Sequence, residues 1–167
     1  AYLALEDRPV SRAALAALLW PDYDQKRAAA NLRRTLWSLN RALGAGLVEA
    51  DNDVVALATG PDLRIDVVEF RRLLLRTRRH GHAAAEPCAE CRGLLAAAAD
   101  LARGDFLEGL TLQDAVEFDD WQSLTTADLR NSLADCLRRL VTAHSAAGDR
   151  QAAKDAALRW AHMDPLD

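Results

Sequence analysis

Four residues in the stretch "HGHAAAEPCAEC", residues 80–91, have the types and spacing of a metal site. His80, His82, Cys88 and Cys91 read His-x-His-x5-Cys-x2-Cys, and two thiolates with two neutral imidazoles make a complete tetrahedral set for Zn²⁺. The stretch interrupts two helical patterns with Gly81 and Pro87. It is too polar to hold itself, so a structural zinc would fix it. Against that, the gap between the pairs is short for a zinc finger, and His-x-His on an extended segment turns its rings to opposite sides. Gly81 is the residue that would permit the bend needed to bring both rings inward. The alternative is a reduced, metal-free loop. A redox Cys-x2-Cys has less to recommend it, because no βαβ pattern surrounds the pair.

A second group lies in "DQKRAAANLRRTLWSLNRAL", residues 24–43. This stretch holds five cationic side chains and one acid in a chain of formal net charge −4. At about 100° per residue, Leu32, Leu36, Leu39 and Leu43 share one stripe. Arg27, Asn31, Arg34, Ser38 and Arg41 share the opposite one. Arginine can take guanine bidentately, asparagine suits adenine, and all five can meet phosphate. Lys26 and Arg33 flank that face as further phosphate contacts. A solvated face of an amphipathic helix would carry the same pattern. Trp37, beside the stripe, is expected to pack on neighbouring helices.

The elements that must position these groups are mostly helical. Half the residues are hydrophobic but only 5% are aromatic, a balance that favours helix over sheet. "AYLALE" reads as the end of a helix. "SRAALAALLW" is a second, with Ser11 as N-cap and Leu15, Leu18 and Leu19 on one face, closed by Trp20-Pro21. The basic helix is the third, started by Asp24 and stopped by Gly44. "LVEA" and "DVVALA" then form a hairpin around Asp51-Asn52. Three helices and a hairpin is the order of a winged helix-turn-helix, in which the third helix enters the major groove.

Beyond the turn-rich "TGPDLRID", the spacing predicts helices over "DVVEFRRLLLRTRRH", with Val67, Phe70, Leu73 and Leu74 inward, and over "LLAAAADLARGDF". A long helix, or two in succession, follows from "DDWQSL" to "AHSAAGD", and a last one covers "RQAAKDAALRWAHMD". Leu133, Cys136, Leu137, Leu140 and Ala156 are expected in one core. The helix, Gly148-Asp149 turn, small-residue helix and Asp-Pro have the spacing of a tetratricopeptide-like hairpin. Such a unit must stack on its neighbours to bury its faces. The expected organisation is therefore a winged helix over residues 1–60 and an all-helical domain over 61–167, continuing beyond 167.

Three cysteines, an odd number, do not make a secreted disulfide framework. No apolar run approaches the roughly 20 residues of a membrane span, and no signal-peptide pattern opens the chain, so a cytoplasmic protein is expected. The opening without methionine and the end just past a helix read as a piece of a longer protein.

The stretches "PVSRAALAALLWPD", "KRAAANLRRTLWSLNRAL", "ARGDFLEGL" with "FDDWQ", and "AAGDRQAAKDAALRWAHMDPL" cover most of the chain. In this order they resemble bacterial transcriptional activators of the antibiotic-regulatory (SARP-like) type, which carry a bacterial transcriptional activation domain (BTAD). The resemblance implies a winged helix on double-stranded promoter DNA and a tetratricopeptide-like module that contacts RNA polymerase or further domains, with homodimerisation open. That family places a small antiparallel sheet before its first helix, and this chain begins after it, so the winged helix is expected to be truncated.

Asp114, Glu117, Asp119 and Asp120 cluster without a glycine-rich phosphate loop or a nearby His or Lys. They read as an acidic helix start favoured by the helix dipole, and no nucleophile context accompanies Ser123, Ser132 or Ser145. The expected function is transcriptional regulation rather than catalysis. The rival from another class is a protein-interaction scaffold that does not bind DNA, within a larger signalling protein.

Overall fold

The computed structural model describes residues 1–6, 8–44, 46–58, 63–81 and 88–163. In chain order these form α1 (Tyr2–Leu5), β1 (Val10–Ser11), α2 (Arg12–Leu19), α3 (Gln25–Leu43), β2 (Val48–Ala50) and β3 (Val54–Leu57). Four further helices follow: α4 (Asp66–Arg78), α5 (Ala89–Leu101), α6 (Val116–Ala146) and α7 (Arg150–Ala161). The protein is mostly helical with a small antiparallel sheet. No described helix is long and apolar enough to cross a membrane.

Local sequence chemistry sets several of the helix ends. Ser11 Oγ accepts the Ala14 N–H at 3.1 Å and starts α2. Asp24 Oδ1 accepts the Arg27 N–H at 3.0 Å and starts α3. Asp149 Oδ1 does the same for α7 through Ala152, at 3.1 Å. Each satisfies an N–H that a helix leaves orphaned in its first turn. Gly44, at φ +96°, ends α3 in a backbone conformation that L side chains rarely adopt. At the other end of a helix, the Arg159 guanidinium of α7 donates to the carbonyls of Ala99 and Ala102, which close α5.

The three strands are ordered β1-β3-β2, all neighbours antiparallel. Val10 pairs with Val55, and Ala50 with Val55 from the other side. The β2–β3 turn is tied by Asp51, whose Oδ1 accepts the N–H groups of both Asp53 and Val54 at 2.8 Å. Those two bonds hold the Asp51 carboxyl below the usual carboxylate range. The strand β1 is not anticipated by the sequence pattern. Two residues carry no readable alternation, and only pairing with β3 defines them.

The chain divides into two compact units: residues 1–64 with 107–124, and residues 65–106 with 125–167. The span expected as one domain, 61–167, is thus interrupted by a segment that groups with the first unit. In that segment Gln122 Nε2 donates to the carbonyls of Leu107 and Leu110, each at 3.3 Å. Trp121 meets the Tyr2 ring edge-on at 5.0 Å between centroids, and Ala115 and Phe118 are buried.

The first unit's core is built from Val10, Leu15, Ala16, Ala28, Leu32, Leu36, Val48 and Val55, with Leu18, Leu19 and Leu39 partly buried against it. Leu43, expected on the same stripe, is 57% exposed. The last turn of α3 outruns the surface it packs on, and there the side chain of Asn40 reaches the Val48 carbonyl at 3.4 Å. The second unit's core joins Phe70, Leu73 and Leu74 of α4, Leu94, Leu95, Ala98 and Ala99 of α5, and Cys136, Leu137 and Leu140 of α6. Leu133 and Ala156 pack on it, partly buried, as the spacing predicts. The alternative of two helices between Val116 and Ala146 is settled in favour of one helix of 31 residues.

Candidate nucleic-acid interface and candidate metal centre

The face of α3 opposite its buried stripe carries Arg27, Arg34, Ser38 and Arg41, all exposed, and half-buried Asn31; Arg33 is exposed on the flank. Among the described residues, none of Lys26, Arg27, Arg33, Arg34 and Arg41 forms an ion pair. In the second unit, by contrast, Arg71, Arg72, Arg76, Arg130 and Arg138 each meet a carboxylate. The cations of α3 are therefore available to an outside anion, at no cost of breaking an internal pair.

Two of them are braced by aromatic rings. The Arg27 guanidinium lies over Tyr23 at 4.0 Å from the ring centroid, and that of Arg41 lies 5.4 Å from the Trp37 centroid. Both distances fall within cation–π range. Trp37 is 62% exposed, so the expected packing on neighbouring helices does not occur. Its position in the helix turns it to the flank of the polar stripe, away from α2 and the sheet. Arg27 and Arg41 stand seven residues to either side of Arg34, so their Cα atoms are about 21 Å apart along the axis.

The second constellation sits where α4 ends and α5 begins. One donor atom from each of His80, Cys88 and Cys91 lies within 4.8 Å of the others. His80 Nδ1 is 3.4 Å from Cys88 Sγ. A tetrahedral zinc with sulfur at about 2.3 Å and nitrogen at about 2.0–2.1 Å has nitrogen–sulfur edges of about 3.6 Å. The His80–Cys88 separation is close to such an edge, and these three residues can hold a metal ion. Cys88 Sγ also receives the Cys91 N–H at 3.5 Å, which makes it the N-cap of α5. That bond orients the sulfur from its own backbone. Cys91 is fully buried. Burial first, and the neighbouring Cys88 second, push its thiol pKa up, so a metal taking it as thiolate must displace a tightly held proton. His82, the fourth ligand expected from the sequence, lies outside the described residues.

Two further residues belong to this corner, and the His-x-His-x5-Cys-x2-Cys pattern includes neither. Glu90 Oε1 stands 3.5 Å from His80 Nε2, on the ring edge away from the sulfurs. Arg76 Nη2 stands 3.6 Å from the same oxygen. The available signal was that Glu90 lies between the two cysteines. Among the described residues the three-donor group is His80, Cys88 and Cys91 alone. Asp114, Glu117, Asp119 and Asp120 do not converge on one point, and Glu117 and Asp119 occupy the first turn of α6. Cys136 is fully buried in the second unit's core, with its thiol near the Leu95 carbonyl at 3.4 Å.

Compared with protein-family models, curated proteins and solved structures, the chain matches none.

Proposed function

We propose that the chain is part of a bacterial transcriptional regulator. Its first unit is a winged helix that contacts promoter DNA through α3, and its second is a helical module that makes protein contacts for activation. The observation that carries this reading is the set of five cations on one helix of an otherwise acidic chain, none of them in an ion pair among the described residues. The element order α1-β1-α2-α3-β2-β3, with its sheet ordered β1-β3-β2, supports a winged helix, with the β2–β3 hairpin as the wing. On α7, Leu158 and Trp160 are exposed at 49% and 39%, and these are the side chains a protein contact would cover.

The spacing on α3 divides the labour. Arg27 and Arg41 stand about 21 Å apart, at the two ends of the helix, where the backbones flanking a major groove about 12 Å wide would lie. Arg27 and Arg41, held by Tyr23 and Trp37, meet phosphates at the two ends of the helix. Asn31, Arg34 and Ser38, between them, face the bases. A Zn²⁺ held by His80, Cys88 and Cys91 is a structural part of the second unit in this proposal.

The test is a salt titration of binding to duplex DNA. Phosphate neutralisation makes log K fall linearly with log salt, by about 0.9 per phosphate. A steep slope that shrinks when the α3 arginines are replaced supports the reading. Absence of binding at low salt, or binding indifferent to salt, removes it in favour of a scaffold that does not bind DNA.

A further inference from the structure

The candidate metal centre has an outer side that its three donors do not explain. His80 turns Nδ1 toward Cys88 Sγ, at 3.4 Å, and Nε2 toward Glu90 Oε1, at 3.5 Å. The imidazole thus lies between a sulfur and a carboxylate. A neutral imidazole carries one proton, and the nitrogen that keeps it cannot bind a metal. Nδ1 is a ligand only when the proton sits on Nε2. Glu90, an acceptor facing Nε2, favours that tautomer. Arg76 lies 3.6 Å from the same carboxylate oxygen, so a cation also flanks Glu90.

We propose that Glu90 is a positioning residue for a divalent zinc-type cation: it takes the Nε2–H of His80, fixes the ring, and leaves Nδ1 aimed at the point that Cys88 and Cys91 share. The assignment rests on the metal reading above and adds to it the residue that decides which nitrogen binds. Each participant comes from a different local constraint. Arg76 lies in the last turn of α4, and His80 follows two residues past the end of that helix. Cys88 and Glu90 flank the first turn of α5, where Cys88 is the cap and Glu90 sits two residues on. Packing of α4 along α5, through Leu73, Leu74, Leu94 and Leu95, brings the two pairs together. The arrangement is the carboxylate–histidine–metal relay found in many zinc sites, in which the outer carboxylate raises the basicity of the ligating nitrogen.

The experiment is a Co²⁺ titration of the reduced full chain, with Zn²⁺ in competition, on the wild type, Glu90→Ala and Glu90→Gln. Nitrogen-15 spectra of the metal-free proteins report the His80 tautomer. Wild type is expected to show thiolate-to-cobalt absorption and the Nε2–H tautomer. Glu90→Ala should bind about tenfold or more weakly and show a tautomer mixture. Glu90→Gln, which keeps an acceptor oxygen without the charge, should fall between. Glu90 is largely exposed, so neither variant endangers the fold. Equal affinities with an unchanged tautomer would overturn the role of Glu90 and leave the three-donor site standing. Weaker binding with an unchanged tautomer would also overturn it, because charge at the first turn of α5 would then be the cause. If the wild type gives no thiolate-to-cobalt absorption, the metal reading itself falls, and the role of Glu90 with it.

Discussion

Arg139 Nη2 of α6 donates to Thr77 Oγ1 of α4 across 3.0 Å, with both side chains buried in the second unit. The threonine hydroxyl in turn donates to the Leu74 carbonyl at 2.8 Å. Among the described residues the same guanidinium meets one carboxylate, Asp135, at a distant 4.0 Å, and its Nε is buried without a hydrogen-bond partner. The hydroxyl is therefore its main short-range acceptor. Thr77→Val should destabilise the protein by about 1–3 kcal/mol, because it leaves a buried donor unpaired. Adding Arg139→Leu should recover much of that loss, since the orphaned charge goes with it. Denaturant melts of the two single variants and the double one measure the coupling, and simple additivity would show that the contact has no energetic weight.

Leu137 is 1% exposed and lies at the meeting of α4, α5 and α6. Truncation to alanine should cost about 2–5 kcal/mol, the range for a buried leucine whose cavity only partly collapses. Leu124, 73% exposed on the same helix, is the control and should change stability little. A thermal or denaturant midpoint unmoved by Leu137→Ala would mean that α6 does not pack through this residue.

On α3 the end and centre residues should separate by kind of effect. Arg27→Ala and Arg41→Ala should each weaken binding to all duplex sequences and lower the salt slope by roughly one phosphate contact. Asn31→Ala with Arg34→Ala should relax the choice among sequences, each lost base contact being worth about 1–3 kcal/mol of discrimination. Selection from a randomised duplex library, with salt titrations on the same variants, measures both. An Arg34 variant with unchanged sequence preference would remove its assignment to bases.

Cys136 responds to alkali. Burial pushes its thiol up to about 12, from an ordinary value of 9.0. The folded state thus holds this proton more tightly than the unfolded state does. The resulting stability is complete below about 9 and is lost as pH rises from there through about 12. Cys136→Ala should flatten the decline in stability over that window, as read by denaturant midpoints at successive pH values. An identical alkaline slope in the variant would show that other groups carry it.

Metal content tests the second constellation directly. Protein prepared without chelator should carry close to one zinc per chain, and chelation should lower the melting of the second unit without unfolding the first. Cys88, an exposed thiol, should gain protection from alkylation when Zn²⁺ is added after chelation, whereas Cys136 should be unreactive with and without it. Elemental analysis without zinc, together with alkylation of Cys88 indifferent to added Zn²⁺, would end the idea.

Much of this protein is set by neighbours in the sequence. The caps Ser11, Asp24 and Asp149 need only a side-chain oxygen three residues ahead of an N–H. The stripe of Leu32 and Leu36 needs only the helical period, and so does the Cys136–Leu137–Leu140 face of α6. The hairpin was readable from two β-prone runs around Asp51. Helix periodicity and capping are local physics, so the residues that express them can be named without a tertiary structure.

Other features exist only through partners distant in the chain. The strand β1 is two residues long and is defined by Val54 and Val55, more than forty positions away. The grouping of 107–124 with the first unit rests on contacts such as Trp121 with Tyr2. Which side of α3 stays open depends on where α2 and the sheet stop, and that leaves Trp37 and Leu43 exposed. The pairing of His80 with Glu90, and of Thr77 with Arg139, follows from how α4 packs on α5 and α6. Sequence spacing brought the donors of the metal centre into one stretch, but the packing of two helices decided which nitrogen faces the sulfurs.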